Sequence, residues 1–390
     1  MLFSSFLAEY PHKLNPLYKV RDELLQAGER IVDLVSGNVT RQGIVFPQDR
    51  LSDIFHRALA RARMYDPDPL GQPGARQAIA EYYGRAGMDV PPEQILLTPG
   101  TSVSYFYCFK MLAEAGDEIL CPSPSYPLFD IISRLAGVQL IYYKLQEIEN
   151  WKIDLDYLES RLTTRTRAIV LISPHNPTGM VAGTSQLEGL AEIARRHRLP
   201  IISDEVFNEF LFGDNVLPRP AQTGFPLVFT LNGFSKMFAL PGMKLGWIAV
   251  SGEPALVKNA MWTFELISDT FLPVNEAVQL AAPEIFRAGC EFLPTYQDNV
   301  RKCRDTAVRI LSSEIGFQLV PPQGGFFLTV KLSEEEKSED QIVIDLLQNT
   351  RILVHPGYFY DIAPTHLVMT FVQNLEELDS ALSRLCQQVR

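Results

Sequence analysis

A break rich in Gly, Ser and Pro separates two apolar runs, Leu227-Val228-Phe229-Thr230-Leu231 and Trp247-Ile248-Ala249-Val250, and carries two lysines, Lys236 and Lys244. Both runs read as buried strands. A lysine held between core strands loses hydration, which lowers its pKa and yields the free amine that Schiff-base chemistry requires. Ordinary loop lysines at a strand end would look the same in isolation. Two further stretches favour the chemical reading. Residues 199–210, LPIISDEVFNEF, form a β-branched run ending in the carboxylates Asp204 and Glu205. Residues 168–179, AIVLISPHNPTG, form an apolar run ending in Asn176-Pro177-Thr178-Gly179. An amine, a carboxylate and an amide thus each fall just beyond a predicted strand end, where the sites of open α/β sheets collect.

The elements that must position these groups follow from pattern. Strands are predicted near 95–98, 118–122, 139–145, 167–173 and 199–203, with helices over 51–63, 75–83, 105–112 and 186–198. Strands alternating with helices imply right-handed crossovers and a mostly parallel sheet. Gly100-Thr101-Ser102 opens the helix that runs to Leu112, and a helix N-terminus with small hydroxylated residues suits an anion, although plain capping explains the same residues. From about Asp269 the character changes. A helix-rich stretch over 275–313 gives way to strands at 317–320, 326–332, 352–354 and 367–372, with His355-Pro356-Gly357 as a turn and a last helix from Leu375. The acidic run Ser333 to Asp340 reads as a solvated loop and helix start. At the other end, an amphipathic segment over 17–26, a short strand over 31–35 and the turn Ser36-Gly37-Asn38 form an arm.

Composition narrows the function classes. The 390 residues suffice for two domains, and 46% hydrophobic with 21% charged residues is the balance of a globular enzyme. A net charge of −11 argues against nucleic acid or an anionic membrane as the main partner. No apolar run is long enough to span a bilayer, and the N-terminus lacks the basic region and cleavage site of a secretory signal. Cys108, Cys121, Cys290, Cys303 and Cys386 are odd in number and show no metal spacing, so reduced thiols in a cytoplasmic protein without a metal site are expected.

Apolar strand then NPTG, apolar strand then DEVF, apolar strand then SK with PG-x-K-x-GW downstream: this series resembles the class I/II aminotransferases, the fold-type I enzymes that use pyridoxal 5'-phosphate. The motifs keep the family's order and spacings, 204 − 176 = 28 and 236 − 204 = 32 residues, and the resemblance covers nearly the whole chain. It implies a large domain with a mostly parallel seven-stranded sheet between helices, over 46–268, and a smaller α+β domain over 269–390 joined by the arm, 1–45. It implies that Lys236 forms the Schiff base and shuttles the proton, that Asp204 pairs with the pyridine nitrogen, and that Asn176 bonds the phenolic oxygen. Tyr126 would stack on the ring. Gly100, Thr101, Ser102, Ser235 and Lys244 would take the phosphate, with Tyr65 reaching across a homodimer interface to the partner's cofactor. Gly37, Asn38 and Val368 would line the substrate pocket. The activity implied is transfer of an amino group from a small amino donor to a 2-oxo acid; a lyase or synthase on the same apparatus is the alternative, and a non-catalytic DNA-binding regulator is disfavoured by the acidic charge.

Four departures qualify the resemblance. Phe207 stands where the family usually has a tyrosine sharing the phenolic oxygen. Lys244 replaces an arginine, giving a point charge for a fork. Ser235 is preceded by Gly233 rather than a second hydroxyl on the turn. In His366-Leu367-Val368-Met369-Thr370-Phe371, Val368 takes the place of the arginine that clamps the substrate's α-carboxylate, and no arginine occurs between Arg351 and Arg384. Either another group, with Arg41 a candidate, catches the carboxylate, or the substrate lacks one.

Overall fold

The structure is a computed structural model and describes residues 14–213, 217–333 and 337–389. Residues 1–13, where a secretory signal would stand, and residues 334–336 of the acidic run lie outside the described residues.

The arm begins with the helix Pro16–Gln26. Asn15 opens it by accepting the Leu17 N–H, and proline at its first position costs no hydrogen bond there. Strand β1 (Val32–Asp33) follows and pairs in parallel with Ile352–Leu353, 320 residues later for Val32 (352 − 32).

Eight strands then build one sheet: β2 (Ile95–Thr98), β3 (Glu118–Ser123), β4 (Gln139–Gln146), β5 (Lys152–Ile153), β6 (Thr166–Ile172), β7 (Ile201–Asp204), β8 (Leu227–Gly233) and β9 (Gly246–Gly252). Their order is β2-β9-β8-β7-β6-β3-β4-β5. From β8 to β4 the pairing is parallel, and β9 runs antiparallel to both neighbours. The seven predicted strands are present, and the two-residue β5 is an addition at one edge. β7 and β8 are buried along their whole length because helices cover both faces. Phe109, Phe129, Ile132 and Phe264, from the helices Thr101–Leu112, Leu128–Ala136 and Pro254–Phe271, pack on one face. Leu187 and Leu190 of Thr184–His197 pack on the other.

Strands β10 (Phe317–Leu319), β11 (Phe327–Leu332), β13 (His355–Pro356) and β14 (His366–Thr370) form a smaller antiparallel sheet in the order β10-β11-β14-β13, while β12 (Ile352–Leu353) is the partner of β1. His355-Pro356, expected as a turn, is therefore a short strand, held by pairing with Val368 and Leu367. The helix Glu276–Ser312 serves both units. Its Ala281, Ile285 and Phe286 pack with Phe234 and Trp247 of the large one, and its Val300, Ala307 and Leu311 with Phe326 and Leu328 of the small one. No described helix is long and apolar enough to cross a membrane, and no group of three metal-ligating side chains occurs among the described residues.

Candidate active site

A cavity of about 940 Å³ opens where the carboxyl ends of β6 and β7, the start of Thr101–Leu112, the arm and the small sheet meet. The sheet brings the chemistry there because β6, β7 and β8 run in parallel and end on the same edge.

Lys236 sits on the one-turn helix Phe234–Met237 that leaves β8. Its Nζ donates to the carbonyl of Gly37 at 3.1 Å. It also faces the rings of Phe207 and Phe326, whose centroids are 5.7 and 5.8 Å away. Loss of hydration in these surroundings pulls its pKa down to about 8, so roughly a tenth of it is the free amine at pH 7. The backbone around it is close-packed. A side chain at Gly246 would put its Cβ 2.9 Å from the Cα of Gly100, and Gly100 itself adopts φ +131°, which only glycine enters readily. Two glycines thus let the start of β9 touch the turn that opens the helix Thr101–Leu112.

Asp204 ends β7 with 9% of its surface exposed. Its Oδ1 accepts the Val206 N–H at 3.0 Å and its Oδ2 accepts the Tyr105 hydroxyl at 2.8 Å. Burial outweighs both bonds and pushes its pKa up to about 6. The adjacent Glu205 does a different job. It is 1% exposed and forms an ion pair with Arg219, away from the cavity. The two carboxylates of the DEVF motif are therefore separated by strand alternation into one cavity group and one structural group.

Asn176 lines the same cavity, and its Oδ1 is buried without a hydrogen-bond partner. An uncompensated buried carboxylate, a buried lysine without a carboxylate partner and an orphaned amide oxygen, which needs a donor, fit a planar group that carries a cationic ring nitrogen, an aldehyde and a phenolic hydroxyl. Thr101 and Ser102 stand on the cavity rim at the helix N-terminus, where an anion is favoured. Tyr126 presents a half-exposed ring at the mouth.

The remaining sequence-derived residues divide. Gly37 and Phe207 line the cavity, Phe207 being 3% exposed and packed edge-on against Phe326 at 4.9 Å. Gly100 precedes the rim, but Ser235 and Lys244 do not line the cavity, and Lys244 is exposed in a left-handed conformation. Asn38 is spent on accepting the Thr40 N–H. Tyr65 is 80% exposed and does not line the cavity of its own chain. Val368 is a correction to the substrate-lining expectation: it is 1% exposed, packs with Trp151, Met180 and Ile362, and backs the wall without forming it. Arg41 lies in a separate surface depression with Arg30, Glu377 and Arg384, so it supplies nothing to this cavity.

Sequence reasoning passed over Tyr105, although its position four residues after Thr101 puts both on one helix face. It also passed over Tyr18, His355 and Tyr360, which form part of the wall and come from segments far apart in the chain.

The profile of the family described as aminotransferase class I and II matches residues 41–385. The glutamate-pyruvate aminotransferase AlaA of Escherichia coli (strain K12) is 28% identical, over 95% of this chain and 93% of its own. The alanine aminotransferase of Mycobacterium tuberculosis (strain ATCC 25618 / H37Rv) is 30% identical, over 95% and 88%. Among solved structures, an alanine aminotransferase from Pyrococcus furiosus superposes with a TM-score of 0.92 at 25% identity, covering 99% of each chain.

Proposed function

We infer the roles of these residues from one premise: the chain belongs to the class I and II aminotransferase family and is a pyridoxal-phosphate-dependent transaminase. Bound in the cavity, the cofactor supplies an electron-accepting ring that stabilises negative charge at the substrate's α-carbon. Lys236 would hold the cofactor's aldehyde carbon through Nζ, as a Schiff base, and later act through the same atom as the base that moves the α-proton. Its lowered pKa supports both tasks. Asp204 would hold the protonated ring nitrogen, with Tyr105 fixing the carboxylate's orientation. Asn176 would bond the phenolic oxygen alone, since Phe207 offers no hydroxyl. Gly100, Thr101 and Ser102 would take the phosphate through the helix N-terminus. Ser235 and Lys244 would join them only after local adjustment, and Tyr126 would exclude water from one ring face.

The observation that carries this reading is the pairing, in one cavity, of a lysine pulled down to about 8 with an aspartate pushed up to about 6, neither with a counter-charge of its own. The test is a single-turnover experiment on cofactor-loaded protein. An amino acid added without acceptor should release its 2-oxo acid in stoichiometric amount, and release of ammonia or a side-chain fragment would point to lyase chemistry instead.

We further propose a homodimer in which Tyr65 reaches the partner's phosphate site. Exposed apolar side chains on the helix Pro254–Phe271, among them Trp262 at 64%, and the neighbouring Leu272 support an interface. Sedimentation should then report twice 43.9 kDa. The division into an arm (1–45), a large domain (46–268) and a small domain (269–390) is supported by the pairing of β1 with β12 and by the separate sheets. A cytoplasmic location is supported by five cysteines without a disulfide.

A further inference from the structure

The wall of the cavity also contains a polar cluster distinct from the residues assigned above to the cofactor. The Tyr18 hydroxyl lies 2.6 Å from Nε2 of His355, and Nδ1 of His355 lies 3.0 Å from the Tyr360 hydroxyl. All three side chains line the cavity. Tyr18 comes from the helix Pro16–Gln26, His355 from β13, and Tyr360 from the 3-10 turn Gly357–Tyr360, so the cluster assembles only in the folded chain.

Its protons can be counted. Burial pulls the His355 pKa down to about 4, so the imidazole is neutral and carries one N–H. With that proton on Nδ1, the ring donates to the Tyr360 oxygen and accepts from Tyr18, leaving the Tyr360 O–H free. With the proton on Nε2, the Tyr18 O–H is free instead. Either tautomer leaves one hydroxyl proton available, and the cluster is uncharged throughout.

The surroundings are mainly apolar, and Arg21 and Asp33 are the charged groups close enough to act on Tyr18. Val35, Leu128, Ile131, Phe327 and Phe359 make up much of the remaining wall. Among the described residues, Lys236 is the one cation that lines the cavity. The nearby Arg21 stacks over the Tyr18 ring at 4.6 Å but is paired with Asp22 and does not line it. A second carboxylate, such as glutamate or aspartate carries, would meet no fixed positive charge here and would lose hydration without compensation.

We propose that the substrate of this transaminase carries a bulky apolar side group ending in an uncharged hydroxyl or carbonyl oxygen, and that the Tyr18–His355–Tyr360 cluster recognises that oxygen. The inference rests on the transaminase reading of the same cavity. It gives the two tyrosines a redundant role. Removing one hydroxyl still leaves a proton on the other, because the histidine can shift its tautomer, whereas removing both leaves no free hydroxyl donor.

The test is equilibrium binding of amine-free probes to the cofactor-loaded protein by calorimetry. 3-(4-Hydroxyphenyl)propionate should bind about 3- to 10-fold tighter than 3-phenylpropionate, the value of one neutral hydrogen bond. That ratio should persist in Tyr18→Phe and in Tyr360→Phe and fall to about one in the double variant, with thermal unfolding confirming that each variant is folded. Glutarate should bind at least about tenfold more weakly than 3-phenylpropionate. A ratio of one in the unmodified protein, a ratio that survives the double substitution, or glutarate binding as tightly as the aromatic probe would each overturn the proposal. If amino acids release their oxo acids while the ratio is one, only this inference fails; if no amino acid does so, the transaminase reading fails with it.

Discussion

Replacing Asp204 with asparagine should stabilise the cofactor-free protein while disabling the enzyme. The carboxyl is 9% exposed, and burial raises its pKa from 3.8 to about 6. A carboxyl with a raised folded-state pKa binds its proton more tightly in the folded state than in the unfolded one. Its effect on stability is therefore least unfavourable below about pH 4, worsens as pH rises from 4 to 6, and is constant above that. A shift of about two units corresponds to about 3 kcal/mol at neutral pH. Asparagine keeps the shape, cannot ionise, and still accepts the Val206 N–H. Urea unfolding of cofactor-free wild type and Asp204→Asn should give equal stabilities near pH 4 and a gap opening to about 3 kcal/mol in the variant's favour by pH 7. The same variant should lose at least about a hundredfold in turnover, because a neutral amide cannot balance a cationic ring nitrogen. A variant that is equally stable or less stable at pH 7 would refute the claim that Asp204 waits, uncompensated, for a counter-charge.

Other substitutions probe the neighbours of that pair. Tyr105→Phe removes a hydrogen bond that favours the ionised carboxylate, so cofactor affinity measured by equilibrium binding should fall about tenfold; an unchanged affinity would free Tyr105 of any positioning role. Phe207→Tyr places a hydroxyl in the cavity that Asn176 also lines and should lower the pH midpoint of the bound cofactor's absorbance change by about one unit, whereas an unmoved midpoint would mean that the hydroxyl does not reach the ring. Arg219→Ala leaves Glu205 buried without its cation and should cost about 3 kcal/mol in urea unfolding; a loss below about 1 kcal/mol would show that water reaches Glu205.

The sequence carried most of what this site needs, for a reason visible in the sheet. Lys236, Asp204 and Asn176 each follow an apolar run, and such runs in a parallel sheet covered on both faces end on one edge, so position along the chain translated directly into position in space. Tyr105 was within reach through its helical spacing from Thr101. Tyr18, His355 and Tyr360 were not, since His355–Tyr18 contact spans 337 residues and depends on β1 pairing with β12. The helix Leu128–Ala136 was hidden because it follows a proline-rich turn and begins with a run of bulky apolar residues that reads equally as strand. The helix Pro254–Phe271 mixes buried Val257, Met261 and Phe264 with exposed Trp262 and Leu266, which blurs its periodicity. At Val368 the motif comparison identified the position and not its surroundings. The strand register directs that side chain into a core with Trp151 and Met180, where its neighbours, and not its type, decide what it touches.

The most direct test of the central assignment is to reduce the cofactor-loaded protein with borohydride and map the labelled peptide by mass spectrometry. The account requires the pyridoxyl group on Lys236, with no label retained in Lys236→Ala. Label on Lys244 or any other lysine, or a Lys236→Ala protein that is still labelled and still transaminates, would contradict it.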